Sequence, residues 1–480
     1  MIIAVDVGTS SARASAYAED GRPVAGLHHR VPYEPRVTAD GGVEHEPRAL
    51  LAAVATCLDA VCARAGRAHV RGVGVTTFWH GLCGFDTDGD AVTPIYMWAD
   101  SRSARDAALL RDALDEQALH ARTGCHLHSS YWPAKLRWLA RERPALVRRV
   151  ARWGSFGEFL ELTLFGEAAT SVSMASATGL FDLTTGTWDP EALAAAEIAP
   201  PHLFRVVERT EARRGPRADW AARWPALHAA PWFSAVGDGA ASNIGSDCLG
   251  PDRIALNIGT SAALRVASDA SRPPPRGLWQ YAIDRARLLL GGATSEGGNV
   301  YAWCRQVLRV PDDATLEQRL DAMPPDDHGL TVLPFLAGER APGWRGDRRG
   351  AITGLSLDTG PLEIAHAALE AVALRLALVY QLVAPHAARR HLVVASGGAI
   401  TRSRAWTRMI ADALGHAVTW SHESEATSRG AALLVLQALG AVPDLAAVQG
   451  PLGETFEPNP ARHARYRQAL ERQRAFDERV

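Results

Sequence analysis

The feature that most constrains the fold is a short pattern that the chain contains twice. The stretch "IIAVDVGTSSARASAY" spans residues 2–17, and "IALNIGTSAALRVA" spans residues 254–267. Each copy is an apolar run, then Gly-Thr-Ser, then a run of small and apolar residues, which predicts two strands joined by a tight turn. Since 480 residues exceed what one hydrophobic core normally supports, we expect two domains, each opening with one copy.

Between the copies, strand-like runs such as "VRGVGVTTF" alternate with amphipathic helical stretches. This alternation predicts α/β layers. The stretch "PLEIAHAALEAVALRLALVYQLV" is apolar nearly all round and is expected to lie buried between layers. Gly, Asp, Ser and Pro accumulate in "SAVGDGAASNIGSDCLGPDR", which predicts domains of residues 1–246 and 247–480.

Composition narrows the class of protein. The chain has 51 Lys and Arg against 53 Asp and Glu, a formal net charge of -2, so nothing indicates a nucleic acid or an anionic membrane as partner. The chain opens on a strand-like run without a basic leader, and no window reads as a long uncharged apolar span, so we expect a cytoplasmic protein. The six cysteines form no Cys-x-x-Cys pairs, which argues against a zinc site or a disulfide framework.

The two Gly-Thr-Ser turns are candidate phosphate sites. Glycine lets a ligand approach the backbone, and the following residues offer hydroxyls and N–H groups. Asp6, at the end of the first strand and without a partner visible in the sequence, is placed to hold Mg²⁺. One such turn alone is also typical of a plain hairpin, but two facing turns would hold a nucleotide polyphosphate from both sides. The predicted phosphate-binding residues are Gly8, Thr9, Ser10, Ser11, Gly259, Thr260 and Ser261.

Two further segments carry a family resemblance. The stretches "SYWPAKLRWLARE" and "GAITGLSLDTGPLEIAHAALE" resemble the two signature regions of the FGGY carbohydrate kinases, although Trp132 stands where that family prefers Pro, Ser or Thr. The resemblance covers essentially the whole chain. It implies an α/β protein of the actin, sugar kinase and Hsp70-like ATPase fold, with ribonuclease H-like domains and with ATP and Mg²⁺ as cofactors.

The same fold serves filament, chaperone and sensor proteins, so the hairpins alone indicate nucleotide binding rather than catalysis. A non-catalytic sugar- or nucleotide-binding relative is therefore the alternative from another class. The segment 76–103, with its His-Gly and Trp-x-Asp-x-Arg patterns, is similar to polyol-binding segments of FGGY kinases and favours an enzyme. Core packing or a structural hydrogen bond is the competing interpretation of each single residue. The predicted substrate-binding residues are Trp79, His80, Asp100, Arg102, His128, Glu158 and Asp238.

Asp238 is the candidate catalytic base. It stands between two glycines ahead of a helix-like run, where a helix N-terminus is expected to keep its carboxylate ionised. On sequence context alone a helix N-cap is as good an interpretation. Resemblance to the Gly-Asp segment of FGGY kinases favours a base that takes the proton of the sugar hydroxyl, and makes Asp238 a metal ligand together with Asp6. The segment "VVASGGAITRSRAW" resembles the adenosine segment of the family, and implies cofactor contacts by Gly397, Gly398 and Ala399.

The identity of the substrate is the most specific of these predictions. The segments "TGCHLHSSYWPAKLRWL", "SVSMASATGLFDLTTGTWD" and "GERAPGW" resemble gluconate kinases, which predicts phosphorylation of gluconate to 6-phosphogluconate. Arg122, His126, His128 or Arg340 could oppose its carboxylate. Other elements resemble D-xylulose kinases, so a pentulose such as D-xylulose or ribulose is the alternative. A homodimer is the assembly we keep in view.

Overall fold

The computed structural model describes residues 1–66, 68–268 and 272–480. Many strands of the first half have only two or three residues, whereas most strands of the second half have four to seven. The strands before residue 250 are β1 (Ile2–Val7), β2 (Ser11–Tyr17), β3 (Pro23–Pro32), β4 (Arg36–Val37), β5 (Val43–His45), β6 (Gly72–Thr77), β7 (Cys83–Phe85), β8 (Ile95–Tyr96), β9 (Arg152–Gly154), β10 (Thr170–Ser171), β11 (Phe181–Asp182), β12 (Thr187–Trp188), β13 (Val206–Val207), β14 (Ala212–Arg213), β15 (Trp232–Phe233) and β16 (Val236–Gly237). Those after it are β17 (Arg253–Ile258), β18 (Ala262–Ser268), β19 (Trp279–Ala282), β20 (Leu288–Thr294), β21 (Thr331–Leu333), β22 (Ala351–Thr353), β23 (Leu392–Ser396), β24 (Val418–Ser421) and β25 (Leu452–Phe456).

Helices connect these strands throughout the chain. In the first half they are α1 (Pro47–Ala65), α2 (Ala104–Ala113), α3 (Glu116–Thr123), α4 (Trp132–Glu142), α5 (Pro144–Val147), α6 (Phe156–Phe165), α7 (Val172–Ser176), α8 (Pro190–Ala195), α9 (Ala218–Arg223) and α10 (Asp238–Gly245). In the second half they are α11 (Gly298–Val307), α12 (Asp313–Ala322), α13 (Pro361–Val383), α14 (Arg404–Leu414), α15 (Ala426–Ala438) and α16 (Pro460–Asp477). Short 3₁₀ turns occupy Pro200–His202, Pro225–Leu227, Ala384–His386 and Leu445–Ala447.

Within the described residues, each half builds one seven-stranded sheet. The first has the order β14-β15-β6-β1-β2-β3, with β16 also pairing with β6. The second has the order β19-β20-β18-β17-β23-β24-β25. In both, an antiparallel meander (β1-β2-β3 or β17-β18-β20) continues into parallel strands through β6 or β23. The predicted α/β layering is confirmed, and the repeated sequence pattern marks a repeated sheet plan.

The two copies of the pattern form two hairpins of the same kind. In the first, Val7 pairs with Ala12, and the turn between them is residues 8–11. In the second, Ile258 pairs with Ala262, so its turn, residues 259–261, is one residue shorter. In both turns the N–H of the glycine donates to a serine carbonyl oxygen at 3.0 Å. We refer to residues 6–13 as the first hairpin and to residues 257–263 as the second hairpin.

Helices α10 and α15 pack closely against one another, and α15 also packs on β1 and β6 of the first sheet. Their contact depends on two glycines without side chains. A Cβ at Gly245 would overlap the backbone of Ala426, and one at Gly430 would overlap the backbone of Ala241. A helix from the second half is thereby fixed against the middle and end of α10, the helix that begins at Asp238.

Helix α13 is the core helix of the second half. The segment Pro361–His386 is long and apolar enough to cross a membrane, which the sequence analysis did not expect of any stretch, and it is the one such helix among the described residues. However, 72% of its apolar window is buried inside the protein, and α13 packs on β18, β20 and α14. The prediction that this stretch is a buried helix is confirmed.

Glu370, on α13 in the second signature region, joins the helix to its surroundings. Its carboxylate accepts hydrogen bonds from Nε2 of His328 and from the Tyr466 hydroxyl, each at 2.8 Å. His366, one turn earlier, is fully buried, and burial lowers the pKa of its imidazole. This signature region therefore contributes a structural hydrogen-bond cluster away from the hairpins.

Candidate active site

The two hairpins line one cavity of about 380 Å³. The structure brings to it many of the residues that the sequence singled out, from both halves of the chain. The predicted residues in its lining are Asp6, Gly8, Thr9, Ser10, Ser11, Trp79, His80, Asp238, Gly259, Thr260 and Ser261. Further lining residues include Arg13, Trp98, Asn257, Arg265, Trp279, Tyr281 and Arg340. One pocket thus combines hydroxyl-bearing turns, two carboxylates and an aromatic wall.

Asp6 is buried, and it has a partner that the sequence analysis missed. Arg13 lies opposite Asp6 across the first hairpin, and its Nη1 donates to Oδ2 at 2.9 Å. Among the described residues, Oδ1 of Asp6 has no hydrogen-bond partner. Burial raises the pKa of Asp6 to about 6, although the positive charge of Arg13 opposes that rise. The free buried oxygen is therefore available to a cation.

Asp238 is the first residue of α10, and its Oδ1 accepts the backbone N–H of Gly239 at 2.8 Å. The N-cap is Gly237, with no side-chain cap bond, so the alternative interpretation of Asp238 as the N-cap does not hold. Burial raises the pKa of Asp238, while the charge of Arg265 lowers it. Desolvation thus acts against the helix N-terminus, which is expected to keep this carboxylate ionised. A carboxylate with a raised pKa is better suited to accept a proton.

An aromatic wall stands beside Asp238. Trp79 donates through Nε1 to the Ser173 carbonyl oxygen at 3.1 Å, and its ring lies against Gly237, where a Cβ would overlap it. Trp279 and Tyr281 stack with ring centroids 4.1 Å apart, and Tyr281 meets Trp79 edge-on at 5.0 Å. Flat apolar faces of this kind pack against the C–H faces of a polyol.

His80 contributes a neutral imidazole to the cavity. Its backbone has φ 67°, an uncommon conformation for a residue other than glycine. Nδ1 lies 2.7 Å from the carbonyl oxygen of Ala177 and must donate to it, since a carbonyl oxygen only accepts. Burial holds the pKa of His80 well below its usual range, with a smaller effect from the charge of Arg340. The neutral ring therefore keeps Nε2 as a hydrogen-bond acceptor.

Asp100 and Arg102 do not line the cavity, contrary to their prediction as substrate contacts. Nε of Arg102 donates to Asp100 at 3.1 Å, and its Nη2 donates to Glu44 at 2.5 Å. The guanidinium also lies 4.6 Å from the ring centroid of Trp138. Because these groups bond to one another, they brace the loop that brings Trp98 to the cavity.

Glu158 and His128 also lie outside the lining. Glu158 closes a capping box at the start of α6, where its carboxylate accepts the Ser155 backbone N–H at 2.5 Å and hydroxyl at 2.6 Å. The carboxylate serves the helix end, which corrects its predicted role in substrate binding. Nδ1 of His128 accepts the backbone N–H of Ser130 at 3.1 Å, and burial lowers the pKa of His128 to about 3. His128 is therefore uncharged and cannot oppose a carboxylate by charge.

The predicted adenosine segment lies beside the second hairpin rather than in the cavity lining. Gly397 has φ 101° and rests against the carbonyl oxygen of Ile258, which also accepts the N–H of Ala399 at 3.2 Å. A Cβ on Gly398 would meet no atom within 4 Å. Gly397 is thus required by the fold, whereas Gly398 leaves an open surface next to the hairpin.

Several lining residues were missed, and some left a signal in the sequence. Trp279 and Tyr281 alternate along β19 and therefore share a face of the sheet. Arg265 interrupts the otherwise apolar run of β18. A charged residue inside a buried strand is uncommon and indicates a partner or a ligand.

Two α/β halves with facing hydroxyl-bearing turns and a carboxylate at a helix start define a phosphotransferase of the sugar kinase and actin-like ATPase fold. Comparison with known proteins gives the family. The model of the FGGY family of carbohydrate kinases, N-terminal domain, matches residues 1–245, and that of the C-terminal domain matches residues 254–439. The chain belongs to the FGGY family of carbohydrate kinases, which confirms the predicted family, fold and enzyme class, with ATP as a substrate.

Individual relatives cover nearly the whole chain. It is 27% identical to a gluconokinase of Bacillus subtilis (strain 168) over 472 residues, 96% of this chain and 91% of that protein. It is 32% identical to a glycerol kinase of Leptothrix cholodnii over 463 residues, 90% of this chain and 89% of that protein. Crystal structures of a gluconate kinase and of a ligand-bound xylulose kinase, both from Lactobacillus acidophilus, each superpose with a TM-score of 0.91 at 25% identity, covering 99% of this chain and 97% of those chains.

Proposed function

We propose that this enzyme transfers the γ-phosphoryl group of ATP to gluconate and forms 6-phosphogluconate. The observation that carries the proposal is the placement of Asp6 and Asp238 in one cavity with both Gly-Thr-Ser turns. The choice of gluconate draws support from the relatives named as gluconokinases. A pentulose such as D-xylulose is the second candidate, because a structure named as a xylulose kinase is equally similar in fold.

Asp238 acts as the base. Its carboxylate accepts the proton of the attacking hydroxyl as that oxygen bonds to the γ-phosphorus, and the bond from the γ-phosphorus to the bridging oxygen breaks, so that ADP leaves. In a loose phosphoryl-transfer transition state such a base mainly orients the nucleophile. The raised pKa of Asp238 brings its proton affinity nearer to neutral pH, where proton acceptance is most effective. Trp79 and the neutral His80 hold the polyol against this carboxylate, one by its face and the other by a hydrogen bond.

The hairpins bind the phosphates. Thr9, Ser10, Thr260 and Ser261 present hydroxyls and backbone N–H groups from two sides, which exclude water and fix the direction of transfer. Gly397, Gly398 and Ala399 bind the adenosine beside the second hairpin. Closure of the two halves on both substrates would keep water from attacking ATP.

Mg²⁺ fits the acidic side of the cavity. The unpartnered Oδ1 of Asp6 is a buried anionic oxygen, the type of ligand that a hard cation prefers, and Asp238 supplies a second carboxylate. These two residues would hold the ion, directly or through water. When bound, Mg²⁺ neutralises negative charge on the phosphates.

The wider setting follows from this activity. A kinase that uses ATP and a small sugar acid is expected in the cytoplasm. The predicted domain boundary between residues 246 and 247 falls between the two segments that match the family models. Both this boundary and the homodimer stay predictions.

The test is a coupled assay of ADP release with Mg-ATP and a set of acceptors: gluconate, D-xylulose, L- and D-ribulose, and glycerol. Turnover with gluconate at the highest kcat/KM is the expected result. Turnover with a pentulose alone would keep the mechanism and replace the substrate. ADP release that no acceptor stimulates, together with measurable sugar binding, would support a non-catalytic relative instead.

A further inference from the structure

Among the described residues, three guanidinium groups line the cavity, and they differ in their partners. Arg13 donates to Asp6, as described above. Nε of Arg265 donates to Oδ1 of Asn243 at 2.9 Å. The nearby negative charge of Asp238 stabilises the charged guanidinium of Arg265. Arg340 makes no hydrogen bond or ion pair through its side chain with any residue that the structure describes. Arg340 is therefore the cation of this cavity for which a counter-charge is missing.

Aromatic rings hold Arg340 in place. Arg340 is only 8% exposed. Its guanidinium carbon lies 4.9 Å from the ring centroid of Trp98 and 6.0 Å from that of Trp344. The indole N–H of Trp344 is itself fixed by the Gly277 carbonyl oxygen at 2.9 Å. Ring faces attract a cation but accept none of its N–H bonds in the way that an oxygen does. A buried guanidinium with free donors is costly unless a ligand supplies those acceptors.

The acidic residues near Arg340 do not supply them. Glu339, the preceding residue, is buried in ion pairs with Arg345 and Arg375. Glu296 is close enough for Arg340 to affect its titration, but burial raises the pKa of Glu296 to about 8, so it is mostly protonated at pH 7. The charge of Arg265 lowers the pKa of Asp238 more than the charge of Arg340 does.

The other ionisable neighbours are basic groups and do not oppose the charge of Arg340 either. Arg340 contributes to the lowered pKa values of His80, His128 and Lys135, with burial as the largest cause in each case. His80 and Trp98 belong to the sugar side of the cavity rather than to the hairpins. An anionic group on the sugar would therefore meet an unopposed charge.

We propose that Arg340 binds the carboxylate of the sugar acid and thereby selects anionic acceptors over neutral polyols. The inference rests on the proposed function. Three other residues could oppose a carboxylate by their chemistry, but none lines the cavity. Arg122 is bonded to Asp189 and Glu191. His126 donates to the Leu278 carbonyl oxygen at 3.2 Å, and His128 is neutral.

The test compares Arg340→Gln and Arg340→Lys with the wild type, and uses Arg122→Gln as the matched control outside the cavity. The acceptors are gluconate and D-glucitol, which carries CH₂OH in place of the carboxylate. In Arg340→Gln the kcat/KM for gluconate should fall on the order of a hundredfold, mainly through KM, since a buried charge-assisted pair is lost. The preference for gluconate over D-glucitol should shrink by the same factor, while KM for ATP stays within about twofold. Arg340→Lys keeps the charge without the bidentate geometry and should recover part of the loss.

An unchanged gluconate KM in a folded Arg340→Gln variant would overturn the inference. A rise confined to KM for ATP would also overturn it, because the bound anion would then be a phosphate. If Arg340→Gln does not fold, Arg340→Lys decides: gluconate should raise the wild-type Tm more than D-glucitol does, and this difference should shrink in the lysine variant. An equal difference in both proteins would contradict the inference.

The proposed function fails separately. If the wild type phosphorylates a pentulose and not gluconate, the substrate assignment and the inference are both wrong. If the wild type phosphorylates gluconate and Arg340→Gln retains its full preference for it, only the inference is wrong.

Discussion

The first and second hairpins share a backbone plan and differ in charge. Asp6 and Asn257 occupy the same place, two residues before the glycine of each turn. Asp6 faces Arg13 across its hairpin, whereas Asn257 faces Ala263 and donates through Nδ2 to the Ser396 hydroxyl at 3.1 Å. The repeat thus supplies two similar turns, and the difference between Asp6 and Asn257 gives only the first a carboxylate.

The turns are also braced differently. In the first, the Tyr33 hydroxyl donates to the Gly8 carbonyl oxygen at 2.6 Å, and Nε2 of His45 donates to that of Thr9 at 3.1 Å. In the second, the corresponding carbonyl oxygens, of residues 259 and 260, accept backbone N–H groups from the start of α11 at 2.8 and 3.0 Å. Side chains hold the first turn and a helix end holds the second. The difference teaches that a duplicated fold can keep its backbone plan while its side chains diverge, since only the first hairpin carries a buried carboxylate.

The largest effect is expected from Asp238→Asn, which removes the carboxylate proposed as the catalytic base. An amide cannot accept the hydroxyl proton, so kcat should fall on the order of a thousandfold. ATP binding, measured by calorimetry, should stay close to that of the wild type, because the hairpins are unchanged. A variant that keeps most of its activity would show that Asp238 is not the base.

The pH dependence of kcat/KM should follow the ionisation of Asp6 in the first hairpin. The pKa of Asp6 is raised to about 6, so below that pH the protonated carboxyl loses its affinity for a cation. The kcat/KM should therefore fall about tenfold per pH unit below pH 6, with the raised pKa of Asp238 adding to the loss. Asn257 does not titrate and contributes nothing to this limb. A rate that stays flat down to pH 5 would contradict the assignment of Asp6.

Hydroxyls are what the two turns share, so their loss should have equal effects. Ser10→Ala and Ser261→Ala each remove one hydrogen bond to a phosphate, and each should raise KM for ATP by about fivefold. The steady-state ATP dependence of both variants, beside a distant Ser→Ala control such as Ser356→Ala, checks this. If KM for ATP rose in only one of the two variants, the two turns would not contribute equally to ATP binding.

The smallest effect is expected at Glu158. Since its carboxylate caps α6, Glu158→Ala should lower Tm by a few degrees, from a loss of about 1 kcal/mol in the free energy of unfolding. Its kcat and KM should equal those of the wild type, and Glu158→Gln should restore much of the Tm. A selective rise in the gluconate KM would return Glu158 to the substrate site.

Much of this molecule could be predicted from local sequence. The α/β alternation, the repeated hairpin and the buried α13 depend on periodicities that a single strand or helix reveals. The capping box at Glu158 was also readable, as Ser followed three residues later by Glu before an apolar run, and was misinterpreted as a substrate contact.

Other features depend on contacts between distant segments. The pairing of Arg13 with Asp6 follows from the strand register, and the mutual bonding of Asp100 and Arg102 with Glu44 follows from tertiary packing. The environment of Arg340 depends on Trp98, which a separate loop provides. Burial, which sets the pKa values of both catalytic-side carboxylates, is likewise a property of the folded chain.

The most direct test of the divided hairpins is a reciprocal pair, Asp6→Asn and Asn257→Asp. Mg-ATP affinity and the single-turnover rate of phosphoryl transfer to gluconate would be measured for each. Asp6→Asn should bind ATP nearly normally and lose rate on the order of a hundredfold, since the charged ligand is gone. Asn257→Asp should weaken ATP binding about tenfold by placing a like charge near the phosphates, and its bound complex should still react. If the two variants lose affinity and rate in the same proportions, the two hairpins are equivalent and the account is contradicted.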